Sequence, residues 1–134
     1  MRPASLEWIT VVQDLFLEHA PPARIAEWLD GRIDAGPGYL VVRSMRAIEG
    51  FDATILVKDG RAVSFTVWYR DIERPTLADA EAVLGMAVGH GGSALFELSF
   101  FDAARPLDDK QLTIACSVDK SAEQRLVGLA LIVS

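Results

Sequence analysis

The residue types that most often carry out chemistry are scarce in this chain and stand apart from one another. His19 and His90 are the only histidines, and Cys116 is the only cysteine. Neither histidine belongs to a motif in which a Ser or Cys nucleophile stands beside a base. The histidines and the cysteine also lack the clustered spacing of zinc ligands. We therefore predict no catalytic residue, no metal site and no cofactor.

One glycine-rich stretch, Gly89-His90-Gly91-Gly92, has a composition found in phosphate loops, whose backbone N–H groups bind anions. A phosphate loop normally leads into a helix, but this stretch follows a predicted helix and leads into a predicted strand. We therefore interpret it as a helix C-cap followed by a turn. Cys116 lies on the apolar side of a predicted strand and is interpreted as a buried, inert thiol.

The chain is acidic, with 19 Asp and Glu against 13 Lys and Arg and a formal net charge of −6. Its basic residues are scattered, so we expect no binding to nucleic acid. An acidic surface suits a basic protein partner, although acidity also serves simple solubility. The acidic candidates for partner binding are Asp102, Asp108 and Asp109. Their spacing is too irregular for the oxygen ligands of a divalent cation.

A second candidate surface for partner binding comprises Trp68, Tyr69 and Arg70, at the end of a predicted hairpin. Aromatic residues and arginine are enriched at interface hot spots. Both aromatic residues could instead belong to the core, and of the two the sequence favours the core for Trp68 over Tyr69.

Apolar spacing predicts three helices, at 5–19, 22–30 and 76–89. Ser5 is the expected N-cap of the first helix, and Pro21-Pro22 is expected to end it. Gly31 is expected to cap the second helix in the left-handed conformation, so the first two helices form an αα-hairpin. Thr76 and Asp79 resemble a capping box at the start of the third helix.

Strand-like runs lie at 39–46, 51–58, 61–69, 94–101, 110–118 and 125–133. Breakers at 35–38 precede the first run, and 102–109 is a predicted loop. The last run could be a strand or a short helix, and Ile132 and Val133 favour a strand. The predicted fold is α+β over residues 1–134, in the order α-α-β-β-β-α-β-β-β, with a mostly antiparallel sheet of about six strands.

The Asp59-Gly60 dipeptide between two strand-like runs predicts a two-residue type I′ hairpin turn. The register counted from this turn pairs Ile55 with Ser64 and leaves large apolar side chains on both faces of the hairpin. Two explanations stay open. The αα-hairpin covers one face and the third helix the other, or one face is uncovered and meets a partner or a second copy.

Composition and segment lengths favour a cytoplasmic protein. The apolar fraction is 51% and the charged fraction 24%, as in folded globular domains. The first residues lack the apolar run of a signal peptide, and the apolar run at 126–133 is too short to cross a membrane. A single cysteine fits a reducing compartment.

In size, acidity and layout the chain is similar to the immunity proteins that neutralise toxins delivered between bacteria. That resemblance implies a non-enzymatic inhibitor that binds a toxin stoichiometrically. The order from Tyr39 to Val118 is also similar to the class I type III secretion chaperones, which implies an acidic homodimer that binds an effector protein. The helix predicted at 22–30 and the strand-like end depart from that second family.

A third resemblance concerns Arg125, Gly128 and Ala130, which match the loose acetyl-CoA pyrophosphate pattern of the GNAT acetyltransferases. In that family the motif opens a helix, whereas here a short run of mixed β character follows. We therefore expect a toxin inhibitor first, a homodimeric secretion chaperone second and a small acyltransferase-like enzyme third.

Overall fold

Three helices pack against one face of an antiparallel sheet in the computed structural model, which describes residues 6–29, 31–44, 51–69, 74–91 and 96–134. The helices are α1 (Trp8–Leu17), α2 (Pro22–Leu29) and α3 (Leu77–Leu84), and a 3₁₀ turn covers Phe101–Ala103. The strands are β1 (Gly31–Gly36), β2 (Tyr39–Ser44), β3 (Phe51–Lys58), β4 (Arg61–Tyr69), β5 (Val88–Gly91), β6 (Phe96–Ser99), β7 (Arg105–Leu107), β8 (Lys110–Val118) and β9 (Leu126–Val133).

The strand order across the sheet is β1-β2-β3-β4-β9-β8-β6-β5, and β7 also pairs with β8. The α+β class and the order of helices and strands are confirmed, and the last run is a strand. In the described part of the chain the sheet has nine strands rather than about six. The additional strands β1, β5 and β7 are short and contain glycine or proline, which are depleted in strands.

Helix α1 ends two residues earlier than predicted, through a Schellman motif and not through the two prolines. His19 has a left-handed φ of 57°, and its N–H donates to the Phe16 carbonyl at 3.1 Å. The Ala20 N–H donates to the Leu15 carbonyl at 2.9 Å. These two hydrogen bonds satisfy carbonyls at the end of the helix. The predicted N-cap, Ser5, lies outside the described residues.

The capping box of α3 is confirmed, but the helix ends at Leu84 and not near 89. The Asp79 N–H donates to the Thr76 hydroxyl at 3.2 Å, and the Thr76 N–H donates to the Asp79 carboxylate at 3.0 Å. Gly85 follows the helix with a φ of 88°. The C-cap interpretation of residues 89–92 is therefore wrong, because 88–91 form β5. Gly31 likewise begins β1 instead of capping α2.

The Asp59-Gly60 turn is confirmed, with φ values of 54° and 75°. The predicted pairing of Val57 with Ala62 is confirmed, but the register predicted beyond it is wrong, because a β-bulge leaves Val63 without a partner on β3. Leu56 pairs with Ser64, and Ile55 pairs with Phe65. One extra residue reverses the orientation of every later side chain of β4 relative to β3.

The bulge brings the apolar side chains that alternate on β3 and β4, among them Ile55 and Phe65, to one face, which forms the core. The buried residues of this face on β3 and β4 are Ala53, Ile55, Phe65, Val67 and Tyr69. On β8 the predicted alternation is confirmed, since Leu112, Ile114, Cys116 and Val118 are all buried.

All three helices contribute to this same core. The rings of Trp8 on α1 and Phe65 on β4 lie 5.6 Å apart. The Gln13 amide donates to the Ala103 carbonyl at 2.8 Å, which joins α1 to the 3₁₀ turn. Leu77 and Leu84 of α3 belong to the same hydrophobic cluster. The expectation that α3 covers the opposite face is therefore wrong, and the described helices leave that face uncovered.

A polar cluster joins the β8–β9 turn to the segment before α3. Asp119 accepts hydrogen bonds from Ser121, from the Arg125 N–H at 3.1 Å and from the Arg74 guanidinium at 2.7 Å. The Arg125 guanidinium in turn donates to the Arg74 carbonyl at 2.6 Å. These bonds, with the Ser121 hydroxyl contributing most, lower the pKa of Asp119 to about 2 although partial burial opposes them.

We expect this cluster to make the fold sensitive to acid. A carboxylate with a lowered pKa stabilises the folded state above its unfolded pKa near 4, and this contribution is lost as the pH falls towards 2. Asp119→Asn should lower the free energy of unfolding at pH 7 by about 1 kcal/mol, since the carboxylate is partly exposed. Urea titrations should show the difference from wild type shrinking between pH 4 and pH 2. A difference that persists unchanged at pH 2 would contradict the assignment, and Asp109→Asn serves as the surface control.

Candidate functional site

The face of the sheet opposite the helices is the main candidate binding surface, and we call it the open face. Its central part on β3, β4, β9 and β8 consists of uncharged side chains, namely those at Thr54, Leu56, Ser64, Thr66, Trp68, Thr113, Ala115, Ser117, Gly128, Ala130 and Ile132. Charged residues border this area in register at both ends of its strands. Asp52 is opposite Trp68 and Glu97 is opposite Ser117 at one end, and Lys58 follows Leu56 by two residues at the other.

Strand register arranges the open face in rows that cross the strands. One row, the ridge, contains the exposed side chains of Tyr39, Leu56 and Ile132. The next row, the furrow, contains small, half-buried side chains on β3, β4, β9 and β8, those of Thr54, Thr66, Ala130 and Ala115, and continues on β2 with the half-buried Val41. A shallow groove of about 230 Å³ lies over part of the furrow, beside Trp68.

Two aromatic rings lie over glycines of neighbouring strands and keep the open face flat. A Cβ atom added to Gly128 would lie 2.8 Å from Cε3 of Trp68, its cross-strand partner. The ring of Tyr39 would clash in the same way with a Cβ atom on Gly36, its partner on β1. An aromatic side chain that covers a cross-strand glycine replaces the missing side-chain contact.

The candidate residues at the end of the hairpin divide between the two faces. Trp68 lies on the open face with 51% of its surface exposed, whereas Tyr69 is buried in the core. The sequence favoured the opposite assignment for this pair, which is wrong because the bulge reverses the orientation of β4. Burial raises the pKa of the Tyr69 hydroxyl above its ordinary range, so the residue stays neutral. Arg70 lies outside the described residues.

The acidic candidates lie at the surface but do not form one acidic site. Asp102 is exposed on the 3₁₀ turn, and Asp108 and Asp109 are exposed on the β7–β8 turn. The Asp108 carboxylate lies 3.4 Å from Nε2 of His19 and 3.6 Å from the Arg61 guanidinium. Two basic groups therefore already face Asp108.

The β7–β8 turn borders a groove of about 370 Å³ in which acidic and basic side chains alternate. The charged residues that line it are His19, Lys58, Asp59, Arg61, Asp108, Asp109 and Lys110. Carboxylates and cations are nearly balanced there, so the groove does not present the acidic surface expected for a basic partner.

The remaining residues with possible chemistry do not assemble into a reaction centre in the described part of the chain. His90 lies in β5, far along the sheet path from β4 and β9. Arg125 stands just before β9, so the GNAT-like residues begin a strand instead of a helix. Within the described residues, no three His, Cys, Asp or Glu side chains are grouped so that they could hold a metal ion.

Comparisons with known proteins identify no relative. No protein-family model matches the sequence, and neither the curated proteins nor the solved structures include a match. Among the described helices, none has the length and apolar character needed to cross a membrane.

We expect Cys116 to be unreactive in the folded protein. Burial against the helices raises the pKa of its thiol to about 12, with the Glu81 carboxylate adding to the effect. A thiol-specific reagent at pH 8 should therefore label native protein at least about 100-fold more slowly than urea-unfolded protein. Labelling of the native protein at the unfolded rate would contradict the burial of this side of β8.

We expect Gly128→Ala to displace the Trp68 ring from the open face. The added methyl group would meet the ring at 2.8 Å and the Val67 carbonyl at 3.1 Å, so the free energy of unfolding should fall by about 1–2 kcal/mol. Gly89→Ala is the matched control, since no atom lies within 4 Å of its added Cβ. Fluorine NMR of 5-fluorotryptophan protein should show one shifted resonance in the first variant only. Equal effects in both variants would contradict the packing of Trp68 on Gly128.

Proposed function

We propose that this chain is a non-enzymatic protein-binding domain that docks its partner on the open face. The observation that carries the proposal is an uncharged sheet face bearing an exposed tryptophan, which the described helices leave uncovered. Exposed apolar sheet surface costs free energy in water, and large patches of this kind mark interaction sites. Trp68 also belongs to the residue type most enriched at interface hot spots.

The open face supports binding better than the acidic turns do. Asp108 is already paired with His19 and Arg61, so a basic partner would have to compete with groups of the chain itself. Asp102 stands on a separate turn, after β6 and before β7. On the open face, by contrast, Leu56, Trp68 and Ile132 are exposed together on three paired strands.

The specific function that we propose is the one expected from size, acidity and layout: stoichiometric neutralisation of a toxin in the bacterial cytoplasm. A homodimeric secretion chaperone is the second candidate, favoured by an uncharged face that suits a second acidic copy. An acyltransferase-like enzyme is the weakest of the three, because the residues that resemble its motif begin strand β9.

We expect co-expression with a toxin encoded beside this gene to protect cells and to yield a 1:1 complex. Trp68→Ala should weaken that complex by roughly 30-fold or more, since a central hot-spot residue contributes about 2 kcal/mol or more. Phe101→Ala is the matched control, because Phe101 is an exposed aromatic residue outside the open face. The measurements are cell growth and isothermal titration calorimetry, with circular dichroism to check folding.

Two outcomes would contradict the proposal at different levels. A chain that neither protects cells nor forms a 1:1 complex would exclude the toxin-inhibitor function. A complex that Trp68→Ala and Phe101→Ala weaken equally would keep the function but exclude the open face as the docking surface.

A further inference from the structure

The uncharged centre of the open face allows a partner that is itself acidic to dock there. Each chain carries a net charge of −6, so two copies repel one another at most surfaces. The central open face has no charged side chain, and two copies can meet there without pairing like charges. A strongly basic partner would be expected to meet carboxylates, and the described carboxylate next to this area, that of Glu97, lies in register beside Ser117 at its margin.

The shape of the open face is self-complementary, because the ridge of one copy can fit into the furrow of a second copy. The ridge of Leu56 and Ile132 and the furrow of Thr66 and Ala130 are neighbouring parallel rows. Consider two such sheets stacked face to face and related by a two-fold axis between them. If the axis runs perpendicular to the strands and midway between the two rows, each ridge lies over the furrow of the other copy. The strands of the two sheets then run along nearly the same line, which is the aligned arrangement common in stacked sheets.

The surface is also smooth enough for two sheets to approach closely. Stacked sheets lie about 10 Å apart, so bulky upright side chains at every position would hold them too far from each other. The furrow has only hydroxyl and methyl groups, and Trp68 lies over Gly128. Ser64 lies between Leu56 and Ile132 and is only 9% exposed, so it adds no bulk of its own to the ridge.

The area of the open face fits a stable dimer. Four strands of about eight residues each span roughly 19 Å by 27 Å, which is about 500 Å² of flat sheet. Strand β2 with Tyr39 widens the face beyond these four strands. A standard protein interface buries about 800 Å² on each partner, so this face supplies most of that area.

We propose that a second copy of this chain covers the open face, giving a face-to-face homodimer with two-fold symmetry. The inference rests on the proposed function only in taking the open face as a docking surface. A partner protein that docks on the same face has to displace the second copy, so its apparent affinity falls as the concentration of this chain rises.

Sedimentation equilibrium of the whole chain alone, over about 1 to 100 µM, tests the proposal. We expect a mass of about twice 14.6 kDa for the wild type. Leu56→Lys should raise the dimer dissociation constant by on the order of 100-fold, because it buries an unpaired charge in each copy. Val83→Lys on α3 is the matched control, since Val83 and Leu56 are both 47% exposed, and it should leave the constant unchanged.

Ile132→Lys provides a second ridge variant on another strand, in case Leu56→Lys does not fold by circular dichroism. A wild-type mass of one chain at 100 µM would overturn the proposal, and so would equal dissociation constants for the ridge variants and Val83→Lys. These outcomes are independent of the proposed function. A monomer that still binds a toxin through Trp68 would remove the homodimer alone, and a ridge-dependent dimer without a toxin partner would remove the inhibitor function alone.

Discussion

The β-bulge at Val63 is the constraint on which the rest of this structure depends. Side chains on a strand alternate between faces, so a hairpin with continuous register would place Phe65 and Ile55 on opposite sides of the sheet. The unpaired residue brings them together under α1, where Phe65 contacts Trp8. The same shift sends Trp68 to the opposite face. The core and the candidate binding surface therefore have one common cause.

Much of the fold could be predicted because its signals are local. The Asp59-Gly60 turn, the Thr76–Asp79 capping box and the alternation of β8 each depend on a few neighbouring residues, and all three are confirmed. The edge strands could not be predicted in this way. Glycine-containing β1 and β5 have weak strand propensity, and each forms by pairing with the strand that follows it, β2 or β6, which the propensity of the segment alone does not indicate.

The candidate site was predicted only in part, and the reason is again the register. Trp68 was named as a candidate, but its neighbours Leu56, Thr66 and Ile132 were not, since they meet only when four strands pair as β3-β4-β9-β8. A signal was present in the sequence. Ala53 and Ile55 alternate on one strand and Phe65 and Val67 on the next, and both pairs can face one core only if an extra residue separates them from the turn. The acidic residues gave no comparable signal in the sequence. The two groups that face Asp108, His19 and Arg61, are distant from it along the chain.

The strand order carries a consequence for the synthesis of this protein. Strand β9 lies between β4 and β8, so it joins a half made of β1 to β4 to a half made of β5 to β8. Because β9 follows both halves in the sequence, a nascent chain on the ribosome cannot join them through β9 until residues 126–133 emerge. During that interval the edges of β4 and β8 have unpaired N–H and carbonyl groups that can pair with other chains. The strand that completes the sheet is thus also the one that ends the period in which the new chain is most prone to aggregate.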